Sequence, residues 1–203
     1  MTTLSLPIAS SLAMFAFVSS ITPGPNNAML LASGANFGFR ASLPHAAGVM
    51  FGFLGLVFLC GLGLGGVFRA YPVLHLALKW AGAAYLLYLA FRIATSRVIG
   101  VGRVGARPMT FLQAVAFQAV NPKGWAMALG TVATYLPSGY SLVDLLLALS
   151  IFGGLNGPSI LTWMGSGVAL RRFLDRPAVL RSFNIGMGLS LALSVVLILV
   201  EEG

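Results

Sequence analysis

The chain has 203 residues, of which 58% are hydrophobic and 8% charged, and its formal net charge is +8. Soluble domains carry about a quarter charged residues, so the composition excludes a water-soluble globular fold. The single cysteine, Cys60, excludes an internal disulfide and, inside FLCGLGLGG, reads as a small helix-packing residue.

No charged side chain occurs in residues 1–39, 41–68, 145–170 or 182–200, while 70–91 holds only Lys79 and 108–143 only Lys123. A membrane-crossing helix needs about 20 apolar residues. Six spans are therefore expected, over 6–36, 41–67, 72–94, 109–136, 141–167 and 180–200. All are helical, because lipid tolerates no open sheet edge and no barrel-like alternation is visible. The fold class is an all-α polytopic membrane protein.

The first span opens with MTTLSLPIASS, which lacks a basic n-region. Its apolar run also outlasts a signal peptide, so it reads as a retained helix. Within it, SSITPGPNNAML places Pro23, Gly24 and Pro25 ahead of Asn26 and Asn27. Each proline removes a helix hydrogen bond and crowds the preceding turn. Carbonyls near Ser19 to Ile21 should lose their amide partners, and the helix restarting near Asn26 should present free N–H groups and a positive dipole end.

The second span is rich in glycine. Gly48–Gly52 and Gly61–Gly65 have the GxxxG spacing that lets helices approach closely, within the chain or in a homodimer. His45 and His75 fall at span ends and read as solvated. In the third span Tyr85 and Tyr88 can line a pocket or pack, and Lys79 and Arg92 lie near its ends, where they can snorkel to the interface.

Residues 98–107, within TSRVIGVGRVGARP, form a Gly- and Arg-rich linker between two three-helix halves, 1–97 and 108–203. In the fourth span Asn121, Pro122, Lys123 and Gly124 make a second break, preceded by Gln118. Placing Pro23 on Pro122 aligns the breaks. Gly52 then roughly meets Gly153, and Gly82 meets Gly186, in the same order. An odd number of spans per half turns one copy upside down, which is the inverted-repeat plan of many secondary transporters. Span five starts at Asp144 and carries Asn156 beside Gly157 and Pro158, so it too is expected to be open to breaking; Asn184 opens span six.

Arg40, Arg92, Arg97, Arg103, Arg107, Arg171, Arg172, Arg176 and Arg181 gather at the odd-numbered connections. The even-numbered ones hold Arg69, Lys79 and Asp144, and the C-terminus holds Glu201 and Glu202. Basic loops stay in the cytoplasm. The chain is therefore expected in a bacterial inner membrane with both termini outside. Its basic loops would touch lipid headgroups and not nucleic acid.

Two half-helix restarts facing each other can grip a carboxylate, and the carbonyl ends can accept an ammonium group. The candidate substrate-binding residues are Pro23, Gly24, Pro25, Asn26, Asn27, Gln118, Asn121, Pro122, Lys123, Asn156 and Tyr85. Lys123 is costly at this depth. With no deep Asp or Glu to pair it, its expected counterion is the substrate's carboxylate. Bound substrate would keep it protonated, and the unliganded lysine could release a proton.

The uncharged first helix with TPGPNN, the Gly-rich second span, WAGAAYLLYLAFRIA and FQAVNPKGW together resemble the LysE/RhtB superfamily of bacterial amino-acid exporters, over essentially the whole chain. TPGPNN, WAGAAY and RIATS look most like its cysteine/O-acetylserine exporter branch. The resemblance implies secondary, proton-coupled efflux of small amino acids without ATP or another cofactor. It carries the first break to Pro23, Gly24 and Pro25, and the second to Asn121, Pro122 and Lys123. Many members have an aspartate after PGP where this chain has Asn26, which leaves Lys123 and the substrate as the deep titratable groups.

Other classes fit less well. A thiol–disulfide electron carrier needs two cysteines. A metal exporter, or any resident metal, needs deep His, Asp, Glu or Cys ligands. An intramembrane enzyme needs a deep catalytic set, and none is visible. An exporter of another small solute or cation, or a non-transporting accessory subunit, remains the alternative.

Overall fold

The computed structural model describes residues 4–64, 70–95, 107–137, 139–171, 173 and 176–201. Most of the expected linker, Arg69, Arg97, Arg103, Arg172, Gly65 and Glu202 lie outside the described residues, as do the side chains of His75, Lys79 and Arg92 and the surroundings of Gly82. Every described element is a helix: α1 Leu6–Ile21, α2 Pro25–Phe37, α3 Phe39–Leu59, α4 Pro72–Ala94, α5 Phe111–Gln118, α6 Pro122–Gly130, α7 Leu142–Arg171 and α8 Pro177–Glu201.

Local chemistry sets the boundaries. Pro25 and Pro122 each stand at the start of their helices, where a missing N–H costs nothing. Between α2 and α3 the chain reverses on Gly38, whose φ of 83° suits glycine. α5 opens on a capping box in which Thr110 and Gln113 bond each other's backbone N–H. Ser141 and Asp144 do the same for α7, and the carboxylate of Asp144 also accepts from Leu4 N at 3.1 Å. α3 and α6 end in π-helical turns, Cys60–Leu64 and Thr131–Tyr135.

α7 runs unbroken for 30 residues with Pro158 inside it, which corrects the expectation that this span might open there. A lone proline removes one hydrogen bond, and the neighbouring turns hold the helix. The first break instead stacks two prolines around an extended glycine, and its two helices meet at a bend of 51°.

Among the described residues two helices, Phe39–Gly63 and Leu142–Arg171, are long and apolar enough to cross a membrane, with mean hydropathies of 2.1 and 1.5; the bent pair α1–α2 makes a third if counted as one span. Large apolar side chains such as Leu6, Phe51, Val73, Phe91, Leu112 and Leu189 stand exposed along the outside. A soluble monomer would not show such a surface.

Helices close where side chains are small. α2 crosses α7 at Gly34 and Gly167, where an added Cβ would lie 2.1 Å from Met164 O and 2.0 Å from Leu31 O respectively. α3 packs on α5 at Gly48 and Gly52, so this GxxxG face is used within the chain. α1 lies on α7, α3 touches α7, and α4 pairs with α8. The main core joins Leu12, Phe53, Trp125 and Phe152.

Candidate substrate site at the paired helix breaks

The carbonyls at the end of α1 are capped by side chains from three other helices. Ser20 O accepts from Asn27 Nδ2 at 2.7 Å and from Ser159 Oγ at 2.8 Å. Ile21 O accepts from Trp163 Nε1 at 3.1 Å, and Thr22 O from Asn27 Nδ2 at 2.8 Å. Lys123 supplies the rest: its Nζ donates to Thr22 O at 3.0 Å, Thr22 Oγ1 at 2.9 Å and Pro23 O at 3.2 Å. All three hydrogens of the ammonium thus point at the negative end of α1, which replaces a carboxylate as its partner. The lysine crosses from one break to the other; it does not snorkel. It also lies across Gly24, where an added Cβ would come within 2.7 Å of its Cδ.

The second break is closed more locally. Ala119, Val120 and Asn121 donate to carbonyls three residues back, and Trp125 Nε1 reaches Ala119 O at 2.9 Å. The breaks are tied together by reciprocal amides: Asn26 Nδ2 donates to Gln118 Oε1 at 2.9 Å, and Gln118 Nε2 returns to Asn26 Oδ1 at 3.1 Å. Asn121 Nδ2 lies 3.3 Å from the same Gln118 oxygen.

Between them is a cavity of about 30 Å³ lined by Ser19, Ser20, Gly24, Pro25, Asn26 and Asn27 from the first break, Asn121, Lys123, Gly124 and Met127 from the second, and Val49, Phe53, Asn156 and Ile160. That is room for about two waters. Neither restarting helix has a side-chain cap. The N–H groups of Asn26, Asn27, Lys123 and Gly124 therefore belong to two positive helix ends on one cavity. Ser20 Oγ and Asn121 Oδ1 are buried there without a partner. Among the described lining residues Lys123 is the one titratable group.

Of the expected site residues, Gly24, Pro25, Asn26, Asn27, Asn121, Lys123 and Asn156 line the cavity. Gln118 joins through Asn26, and Pro23 through the lysine. Pro122 starts α6. Tyr85 does not line the cavity: its ring packs at 6.3 Å from Tyr88 and 5.9 Å from Phe117. Ser159 and Trp163 carry part of the site and were not anticipated; their only signal was a hydroxyl and an indole one turn apart after Gly157-Pro158. His45, expected to be solvated, is 2% exposed and neither ring nitrogen has a partner.

Comparison with known proteins bears on this geometry. The model of the LysE type translocator family matches residues 17–199. The chain belongs to that family. It is therefore a membrane translocator and not an enzyme. Among curated relatives, the cysteine/O-acetylserine efflux proteins of Escherichia coli strain K12, Escherichia coli O139:H28 and Shigella sonnei strain Ss046 are each 37% identical to this translocator over 142 residues, covering 66% of this chain and 72% of theirs. No solved structure matches.

Proposed function

We propose that this translocator exports small neutral amino acids or their derivatives, cysteine and O-acetylserine foremost, from the cytoplasm in exchange for protons. One observation carries the reading: two uncapped helix starts and Lys123 converge on a single cavity. Backbone N–H groups and an ammonium suit a carboxylate, and carbonyls beside them suit an ammonium. As the one titratable lining group, Lys123 is the residue that would carry the proton.

The architecture that fits is six spans in two inverted halves, 1–97 and 108–203, with α1–α2 and α5–α6 as their broken first spans and both termini outside the inner membrane. Helix contacts support it, because several have a counterpart in the other half: α1 on α7 and α5 on α3, α2 on α8 and α6 on α4. By helix position Pro25 corresponds to Pro122, two residues from the alignment that pairs Pro23 with it.

The test is counterflow of labelled cysteine, O-acetylserine, threonine, leucine and lysine in proteoliposomes, followed by efflux with the membrane potential clamped. Exchange of cysteine or O-acetylserine, accelerated by a pH gradient, is expected. Absence of any exchange refutes export, and exchange indifferent to the gradient refutes proton coupling.

A further inference from the structure

Lys123 occupies a site that its own helix did not build. Thr22 O, Thr22 Oγ1 and Pro23 O form a tripod of neutral oxygens at 2.9–3.2 Å around one –NH₃⁺ group. Three donors on a compact cation are also what an α-amino acid presents. A guanidinium or an amide would not match three oxygens converging on one nitrogen. The uncapped starts of α2 and α6 and Asn121, whose Oδ1 is unpaired, line the same cavity as Lys123.

We infer that the Thr22–Pro23 end of α1 is the ammonium subsite for substrate and that Lys123 is its resident stand-in, giving it up only to the ammonium of an incoming amino acid. This rests on the export reading above and specifies how its site selects. The exchange conserves charge at each place. The substrate ammonium takes the three oxygens, and the released lysine turns to the substrate carboxylate beside the helix starts. Before and after, one cation sits on the end of α1.

The exchange explains why both charged groups of a substrate are needed at once. An amine without a carboxylate would have to evict Lys123 and leave its charge with no anion. An acid without an amine would draw Lys123 away and leave Thr22 Oγ1 and Pro23 O without a cation, Thr22 O keeping only Asn27. Charge-assisted hydrogen bonds of this kind are about twice as strong as neutral ones, so their loss weakens binding. Gly24 fits the same picture, since a Cβ there would press on the stem of the lysine at 2.7 Å from Cδ.

The experiment is inhibition of labelled cysteine counterflow, under reductant, by cysteine, by its decarboxylated form cysteamine and by its deaminated form 3-mercaptopropionate. In the wild type both analogues should be at least about tenfold weaker than cysteine, the loss expected for one charge-assisted contact. In Lys123→Met, inhibition by cysteine should weaken about tenfold while inhibition by cysteamine strengthens, because the amine no longer evicts a cation. A lysine that merely capped α1, or merely bound carboxylate, would leave cysteamine no better in the variant than in the wild type, and that result overturns the inference.

A second measurement avoids a variant that might lose its fold. The chain has two lysines, Lys79 and Lys123, so Lys79→Arg with ¹⁵N-lysine labelling reports Lys123 Nζ alone. Cysteine should shift that resonance strongly; cysteamine at the same concentration should not. A resonance unmoved by cysteine in a protein that exchanges it overturns the stand-in role and leaves export intact. A wild type that exchanges no amino acid overturns both.

Discussion

The two breaks do the same thing to a helix and yet are built differently. The first is over-determined: Pro23 and Pro25 flank an extended Gly24, and the orphaned carbonyls are reached by Asn27, Ser159, Trp163 and Lys123. The second rests on Pro122 alone and closes its own carbonyls with a tight turn and one indole. The first offers acceptors and the second a cation. On the proposed architecture the two breaks are complementary halves of one site, and it is their asymmetry, not the repeat itself, that would make a place for a zwitterion.

The sharpest way to break this comparison is to mend each break. With Pro122→Ala the ring that crowds Gln118 O and the missing N–H both disappear, and α5 and α6 are expected to join. Counterflow should fall to background. Pro25→Ala should retain most of it, because Pro23 and Gly24 still interrupt the chain. Equal losses in the two variants would show that the breaks are equivalent and the asymmetry unimportant.

Stability should follow the same contrast at smaller scale. Asn27→Leu strips a donor from the buried Ser20 O and from the part-buried Thr22 O. At about 1–3 kcal/mol for each stranded group, and part of that regained from Ser159 and Lys123, the net cost is about 3 kcal/mol. A fall of about 10 °C in the melting temperature of the purified protein checks it. Trp125→Phe keeps the ring and loses one bond, to Ala119 O. About 1 kcal/mol and about 3 °C are expected. If the tryptophan variant proved the more damaging, the second break would be the better anchored one.

Much of this site was legible because it is made by local chemistry. Two prolines around a glycine, and an Asn-Pro-Lys-Gly run, mark helix breaks by themselves, so residues 23–25 and 121–124 announced themselves, and the uncharged stretch around Lys123 singled it out. The partners of the freed groups were not legible. Ser159 and Trp163 lie far along the chain, and nothing near them says that they face Ser20 and Ile21. Lys123 needed a partner, yet its choice of the α1 carbonyls depends on two half-helices meeting, which only packing decides. Pro158 misled, since a proline's local signal is the same whether the surrounding helix yields or holds.

His45 is where a linear reading failed most clearly, and it supplies the smallest prediction. Its place near a span end suggested water. α3, however, packs on α5 at Gly48 and Gly52, on the same face and within two turns of His45, and the imidazole is sealed in. Where the breaks expose polar groups and then cap nearly all of them, this intact helix buries two nitrogens and caps neither. An unpaired buried polar group costs about 1–3 kcal/mol, while an apolar residue of similar volume carries no such cost. Replacing His45 with leucine should therefore leave the melting temperature unchanged or raise it by a few degrees. A drop as large as that of Asn27→Leu would mean that the ring holds an essential hydrogen bond through water, and that capping is as complete in the intact helices as at the breaks.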